Sequence, residues 1–185
     1  MTLLALAFVG KQNSGKTTLL EKLIAELTRR GYNVGTLKHH SHAGFDFDRE
    51  GKDSWRHAQA GSRFTVVSAP DKIAMVRTLD APEEAMDTLA HMVALSKTGE
   101  TKGTRPLDIV LVEGFRNSGL PTIELFRAAN PKDAHRSLGE EGNNIIAVVT
   151  DLPRIQEAAN GQGIPSFGFD DIDQLASYVE LLANN

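Results

Sequence analysis

The sixteen residues from Ala5 to Leu20, ALAFVGKQNSGKTTLL, leave this chain few possible folds. An apolar run from Leu3 to Val9 has the character of a fully buried strand. It passes into Gly10-Lys11-Gln12-Asn13-Ser14-Gly15-Lys16-Thr17, an intact G-x-x-x-x-G-K-[ST] phosphate-binding loop. Leu19, Leu20, Leu23, Ile24 and Leu27 then recur at helical spacing. Glycine at positions 10 and 15 lets the backbone turn tightly and approach an anion. Loop amides and the first helical turn, from Lys11 to Thr18, are expected to face the phosphates, where the helix dipole favours negative charge. Lys16 is placed to reach the β- and γ-phosphates and the Thr17 hydroxyl to ligate Mg²⁺. The expectation is a nucleoside triphosphate site.

The length of 185 residues suits one domain, residues 1–185, with a core that needs no disulfide or metal. The formal charge of −4 gives no electrostatic reason to expect nucleic acid as a partner. The chain contains no Cys, which excludes disulfides, thiolate zinc sites and cysteine nucleophiles and suits a reducing, cytoplasmic setting. The N-terminal apolar residues lack a basic flank and run straight into the phosphate loop, so they read as a core strand and not as a signal peptide. No apolar run approaches membrane-spanning length, and no membrane partner is expected.

The first helix is expected from Lys16 to Arg30, stopped by Gly31, with Tyr32 to Leu37 as a second strand in a right-handed parallel crossover. The polar run from Lys38 to His57 holds four of the six histidines and the one Trp. Three readings of it stay open. It is a solvated loop, a transition-metal site using His39, His40 and His42, or a switch-like loop in which Lys38 and aspartates meet phosphate, Mg²⁺ or attacking water. The histidine spacing of i, i+1, i+3 matches no tight zinc signature, and the switch-like reading is the favoured one. A short helix follows from Asp53 to Ala60, then two β-branched runs, Arg63 to Ala69 and Lys72 to Thr78, split by the turn pair Pro70-Asp71. These predict an antiparallel hairpin added to a mostly parallel sheet.

A helix is expected from Pro82 to Ser96 and an exposed connection from Thr98 to Arg105. Leu107 to Val112 leads to Glu113, a strand end ready to hold Mg²⁺ or orient a nucleophile, and Gly114 allows backbone to approach phosphate. Further strands are expected at Pro121 to Arg127, Ile145 to Val149 and Ser166 to Phe169, with Asp171 capping a last helix. Asn130 to Asn143 reads as a charged, mobile loop. The fold class is α/β, a three-layer αβα P-loop NTPase.

These blocks together resemble the molybdopterin-guanine dinucleotide biosynthesis protein B family. The resemblance rests on Gly10 to Thr17, on Gly35-Thr36-Leu37-Lys38-His39, and on Asp46 to Arg56 with its Gly51-Lys52-Asp53-Ser54. It rests further on Ala60-Gly61, on Leu111-Val112-Glu113-Gly114-Phe115-Arg116, and on Pro121-Thr122-Ile123-Glu124. It implies a GTP-binding, dimeric accessory protein that assists the guanylyltransferase joining GMP to molybdopterin, with weak or partner-dependent GTP hydrolysis. Contact with molybdopterin itself is left open. No N-K-x-D signature is present, and Thr150 with Asp151 are the candidates for reading guanine.

Lys16, Asp48 and Glu113 form the expected catalytic set, with Arg56 or Arg116 as a charge-stabilising arginine. Thr17 and Glu113 are the expected Mg²⁺ ligands. Two rival classes remain at this stage: a nucleotide-gated nickel or zinc chaperone, and an ATP-dependent small-molecule kinase or ligase.

Overall fold

A computed structural model describes residues 3–40, 46, 48–81, 83–98 and 105–185, without the side chains of residues 85 and 96–98. His42, Pro82 and the connection 99–104 lie outside the described residues. The chain divides into two compact units, residues 1–39 with 85–185, and residues 40–84.

In the larger unit six strands form one sheet: β1 (Leu4–Val9), β2 (Val34–Lys38), β5 (Ile109–Glu113), β6 (Thr122–Phe126), β7 (Ile145–Thr150) and β8 (Ser166–Phe167). Their spatial order is β2-β5-β1-β6-β7-β8, and every pairing is parallel. Parallel strands need crossovers, which carry α1 (Lys16–Arg29), α3 (Ala85–Thr98) and α4 (Pro153–Gly161), while α5 (Ile172–Ala183) follows the last strand. The side-chain period of two divides each strand between the sheet faces. Leu6, Phe8, Ile109, Leu111, Ile123, Leu125, Ala147 and Val149 pack with α1 and α5. Val110 and Val112 pack against Leu89 of α3, and Phe126 and Val148 against Ile155 and Ala159 of α4. The three-layer expectation holds.

Several details differ from the sequence reading. Helix α4 was not expected, because its apolar pair Ile155 and Ala159 is too short a periodic signal. Asp171 does precede α5, but its carboxylate accepts from the Gly168 N–H at 2.7 Å and not from the helix amides. The segment after Asn130 opens with a single 3₁₀ turn, Pro131–Asp133, capped by the Asn130 side chain, and holds buried charges. A mobile loop is the wrong description of it.

The smaller unit contains α2 (Asp53–Gln59) and a hairpin of β3 (Phe64–Ser68) and β4 (Ile73–Arg77). Among the described residues the hairpin is a two-stranded antiparallel sheet of its own. Phe64, Val66, Val67, Ile73 and Met75 are exposed on it.

Helices α1 and α5 are also joined by charge. Arg30, the C-cap of α1, contacts Glu26 on its own helix and Asp173 and Glu180 on α5. The Glu26 carboxyl is lowered from 4.5 to about 2, first through its Arg29 hydrogen bond and then through Arg30. A carboxylate with a depressed folded value stabilises the fold above its unfolded value, and that contribution is lost as pH falls through the folded one. Melting temperature is therefore expected to drop between pH 4.5 and 2 with a Glu26 component, and Glu26→Gln to show a shallower drop. Equal slopes for the two proteins would contradict this.

Candidate functional site

The phosphate loop leaves β1, turns through Gly10 to Gly15 and enters α1 at Lys16. Two glycines are needed here for different reasons. A Cβ on Gly10 would lie 2.9 Å from the Leu125 carbonyl oxygen, and Gly15 holds φ +83°, a left-handed conformation costly for other residues. As N-cap, Gly15 has no side chain to offer the first-turn amides, so these donors stay open to an anion. Ser14 Oγ donates to the Lys11 carbonyl at 2.6 Å, and the Ser14 N–H donates to the same oxygen at 3.2 Å. The Lys16 ammonium donates to the Gly10 and Lys11 carbonyls at 2.8 and 2.7 Å, so it already lies across the loop. Burial lowers its pKa, opposed chiefly by the Glu113 carboxylate. A phosphate beside it would favour the charged form.

Glu113 ends β5 next to both β1 and β2. Its Oε1 accepts from Thr17 Oγ1 at 3.3 Å, and its Oε2 lies 3.5 Å from Lys38 Nζ. Gln12, Asn13, Gly15, Lys16, Thr17, Thr18, Lys38 and Glu113 line a cleft of about 330 Å³. The Thr17–Glu113 pair suits Mg²⁺, a hard cation that takes few protein oxygens beside phosphate and water. Gly114 follows at φ +91°, its N–H bonded to the Phe8 carbonyl at 3.2 Å. His39 donates its N–H to the Glu113 carbonyl, and its ring lies 4.5 Å from that of Phe115.

The other expected site residues each have local partners. Thr150 is fully buried, and its hydroxyl accepts from the Leu152 N–H at 3.0 Å. Asp151 accepts from the Ala128 N–H and lies 3.5 Å from Arg127 Nε. In the smaller unit, the Asp48 carboxylate accepts from the Arg49 N–H at 2.8 Å. Asp46 there accepts from Trp55 Nε1 and the Asp48 N–H at 2.8 and 3.1 Å, so this stretch is locally tied. Arg56 stands 4.0 Å from Asp53. Among the described residues no group of three His, Cys, Asp or Glu could hold a metal ion.

The sequence reading missed what lies beneath the loop. Glu124 and Asp133 are both 0% exposed and both pair with Arg136, itself 3% exposed. Glu124 also accepts from the Gly139 and Glu141 N–H groups, at 2.7 and 3.2 Å. Burial still raises its pKa, with the Gly139 amide the largest opposing influence. Asn130 donates to Asp133 at 3.0 Å, to the Gln12 carbonyl at 3.1 Å and to Ser14 Oγ at 3.4 Å. Glu141, 2% exposed, pairs with Lys11 of the loop and with Arg116. The segment after β6 thus braces the phosphate loop from inside. One signal was readable: an acid in the apolar run Thr122-Ile123-Glu124-Leu125-Phe126 requires a partner when buried.

Arg136→Met would leave two carboxylates buried without their cation. The expected loss is roughly 3–5 kcal/mol in urea unfolding, or failure to fold. A loss below about 1 kcal/mol would show that the network does not brace this region.

Comparison with known proteins gives a consistent picture. The family profile for molybdopterin guanine dinucleotide synthesis protein B matches residues 5–151. The chain is 37% identical over 148 residues to the molybdopterin-guanine dinucleotide biosynthesis adapter protein of Haemophilus influenzae, covering 80% of this chain and 75% of that one. It is 35% identical over 178 residues to the Escherichia coli adapter protein, covering 94% and 90%. The crystal structure of Bacillus subtilis MobB is similar at 26% identity and a TM-score of 0.67, covering 94% of this chain and 96% of that one.

Proposed function

The chain belongs to the MobB family, and from that membership we propose that it is a GTP-binding adapter in molybdopterin guanine dinucleotide biosynthesis. The observation that supports this most is the open loop at the head of α1, with Lys16, Thr17 and Glu113 gathered in one cleft. In this reading the amides from Gln12 to Thr18 and the Lys16 ammonium hold the triphosphate. Thr17 and Glu113 hold Mg²⁺, which neutralises phosphate charge when bound. Lys38 supplements that charge, and Gly114 lets backbone come near. Thr150 and Asp151 stand at the end of β7, on the strand-end side where the nucleotide would bind.

GTP hydrolysis is weak or dependent on a partner, with Asp48 in the catalytic set beside Lys16 and Glu113. The partner is the guanylyltransferase of the same pathway, and the setting is cytoplasmic. No described helix is long and apolar enough to cross a membrane. The metal-handling and kinase readings find no support among the relatives, which carry adapter names.

A second copy of the chain is also part of this reading. A two-stranded hairpin with apolar side chains exposed is marginal alone, and pairing with another copy would cover it. Light scattering is expected to give twice the chain mass, and Ile73→Lys to shift it toward one. A monomer at all concentrations would oppose the dimer.

The functional test adds the purified protein to guanylyltransferase, molybdopterin and Mg-GTP at limiting GTP. Wild type is expected to raise the yield of the dinucleotide. Lys16→Ala is expected to fold, to lose binding of Mg-GTPγS by at least tenfold, and to give no increase. Unchanged affinity in that variant would refute the phosphate site.

A further inference from the structure

A second cleft, of about 290 Å³, opens on the other side of the phosphate loop. Asn13, Gly15 and Thr18 line both clefts, so the two meet along the head of α1. Its far wall comes from the ends of two strands: Arg127 follows β6, and Phe169 with Asp170 follow β8. The Arg127 guanidinium lies 4.1 Å from the Phe169 ring centroid, a stacked cation–π pair. Asp151 steadies the guanidinium at 3.5 Å, and the Phe169 edge is close enough to Gly15 that a Cβ there would meet it at 3.3 Å. The Lys22 side chain, reaching out from α1, forms the opposite rim and donates to Asp170 at 3.0 Å.

We propose that this cleft seats the purine of the bound nucleotide, packed against the Arg127–Phe169 pair, and that the Asp170 carboxylate reads the base. The proposal rests on the nucleotide reading above and names the part of that site which sets specificity. The chemistry favours guanine. Guanine presents adjacent N1–H and 2-amino donors, and an ionised carboxylate is an acceptor only. Adenine presents an N1 lone pair at the same edge and is repelled.

Asp170 is suited to this because its side chain is 94% exposed at the rim, with acceptor capacity beyond the one Lys22 contact. The Lys22 hydrogen bond also lowers its pKa, so it stays ionised at neutral pH. The other carboxylate nearby, Asp151, is already engaged by the Ala128 N–H and by Arg127. Its part is to orient the stacking cation. Thr150 is enclosed, with its hydroxyl committed to Leu152. A flat cation on an aromatic ring beside the exposed Asp170 carboxylate fits a purine better than a phosphate, which would meet the Asp170 charge.

The test is calorimetric titration of the full chain with Mg-GTPγS, Mg-ATPγS and Mg-tripolyphosphate. The proteins compared are wild type, Asp170→Asn, Arg127→Ala and Lys16→Ala. Asp170→Asn is expected to weaken GTPγS by about tenfold to a hundredfold and leave ATPγS and tripolyphosphate within about twofold. Arg127→Ala is expected to weaken both nucleotides by about tenfold and leave tripolyphosphate unchanged. Lys16→Ala is expected to weaken all three. Wild-type affinities for all three ligands in both Asp170→Asn and Arg127→Ala would overturn the base seat while the phosphate site stands. A wild type that binds tripolyphosphate without preferring GTPγS to ATPγS would overturn it too. Failure of wild type to bind any of the three would overturn both readings.

Discussion

The buried pairing of Arg136 with Glu124 and Asp133 is the interaction on which the nucleotide-side architecture depends. Three charges leave water together, and each is stable there only because the others stay. From that cluster, contacts run outward to the loop: Asn130 to Gln12 and Ser14, and Glu141 to Lys11. A phosphate loop must hold several amides and one ammonium in a fixed array without the anion that would otherwise organise them. Fixing the loop from beneath removes part of that ordering cost from the binding step.

The parallel sheet supplies the second requirement, which is convergence. Strands β1 and β5 are neighbours, so the loop after one and Glu113 at the end of the other meet at one edge. Crossovers place that edge at the carboxyl ends of the strands, where ligands of open α/β sheets gather. Strands β6 and β8 bring Arg127 and Phe169 to the same edge on the far side of the loop. Helix α1, pinned to α5 through Arg30, carries the amides between the two clefts.

Much of this was legible in the sequence, and what was not has a physical explanation. The phosphate loop and Glu113 were readable because glycine positions and an apolar strand ending in an acid are local signals. The interior strands read as continuous apolar runs for the same reason. The brace was missed because Glu124, Asp133, Arg136 and Glu141 pair across turns that carry no periodic pattern. Their charges made 130–143 look solvated, whereas the acid inside β6 was the one hint otherwise. The hairpin was readable as a hairpin, but nothing in its alternation says which sheet it joins. Arg127 and Phe169 were missed because a stacked pair 42 residues apart leaves no trace in spacing.

The central claim is that a loop preorganised by buried charge receives Mg-GTP. A crystal structure of the complex with Mg-GTPγS tests it most directly. The account predicts triphosphate along Gly10 to Thr18 with the loop backbone as it stands here. The Lys16 ammonium would turn from the Gly10 and Lys11 carbonyls to phosphate, and Mg²⁺ would lie between Thr17 and Glu113. A triphosphate bound elsewhere, or a loop rebuilt around it with the Asn130 and Glu141 contacts broken, would contradict the account.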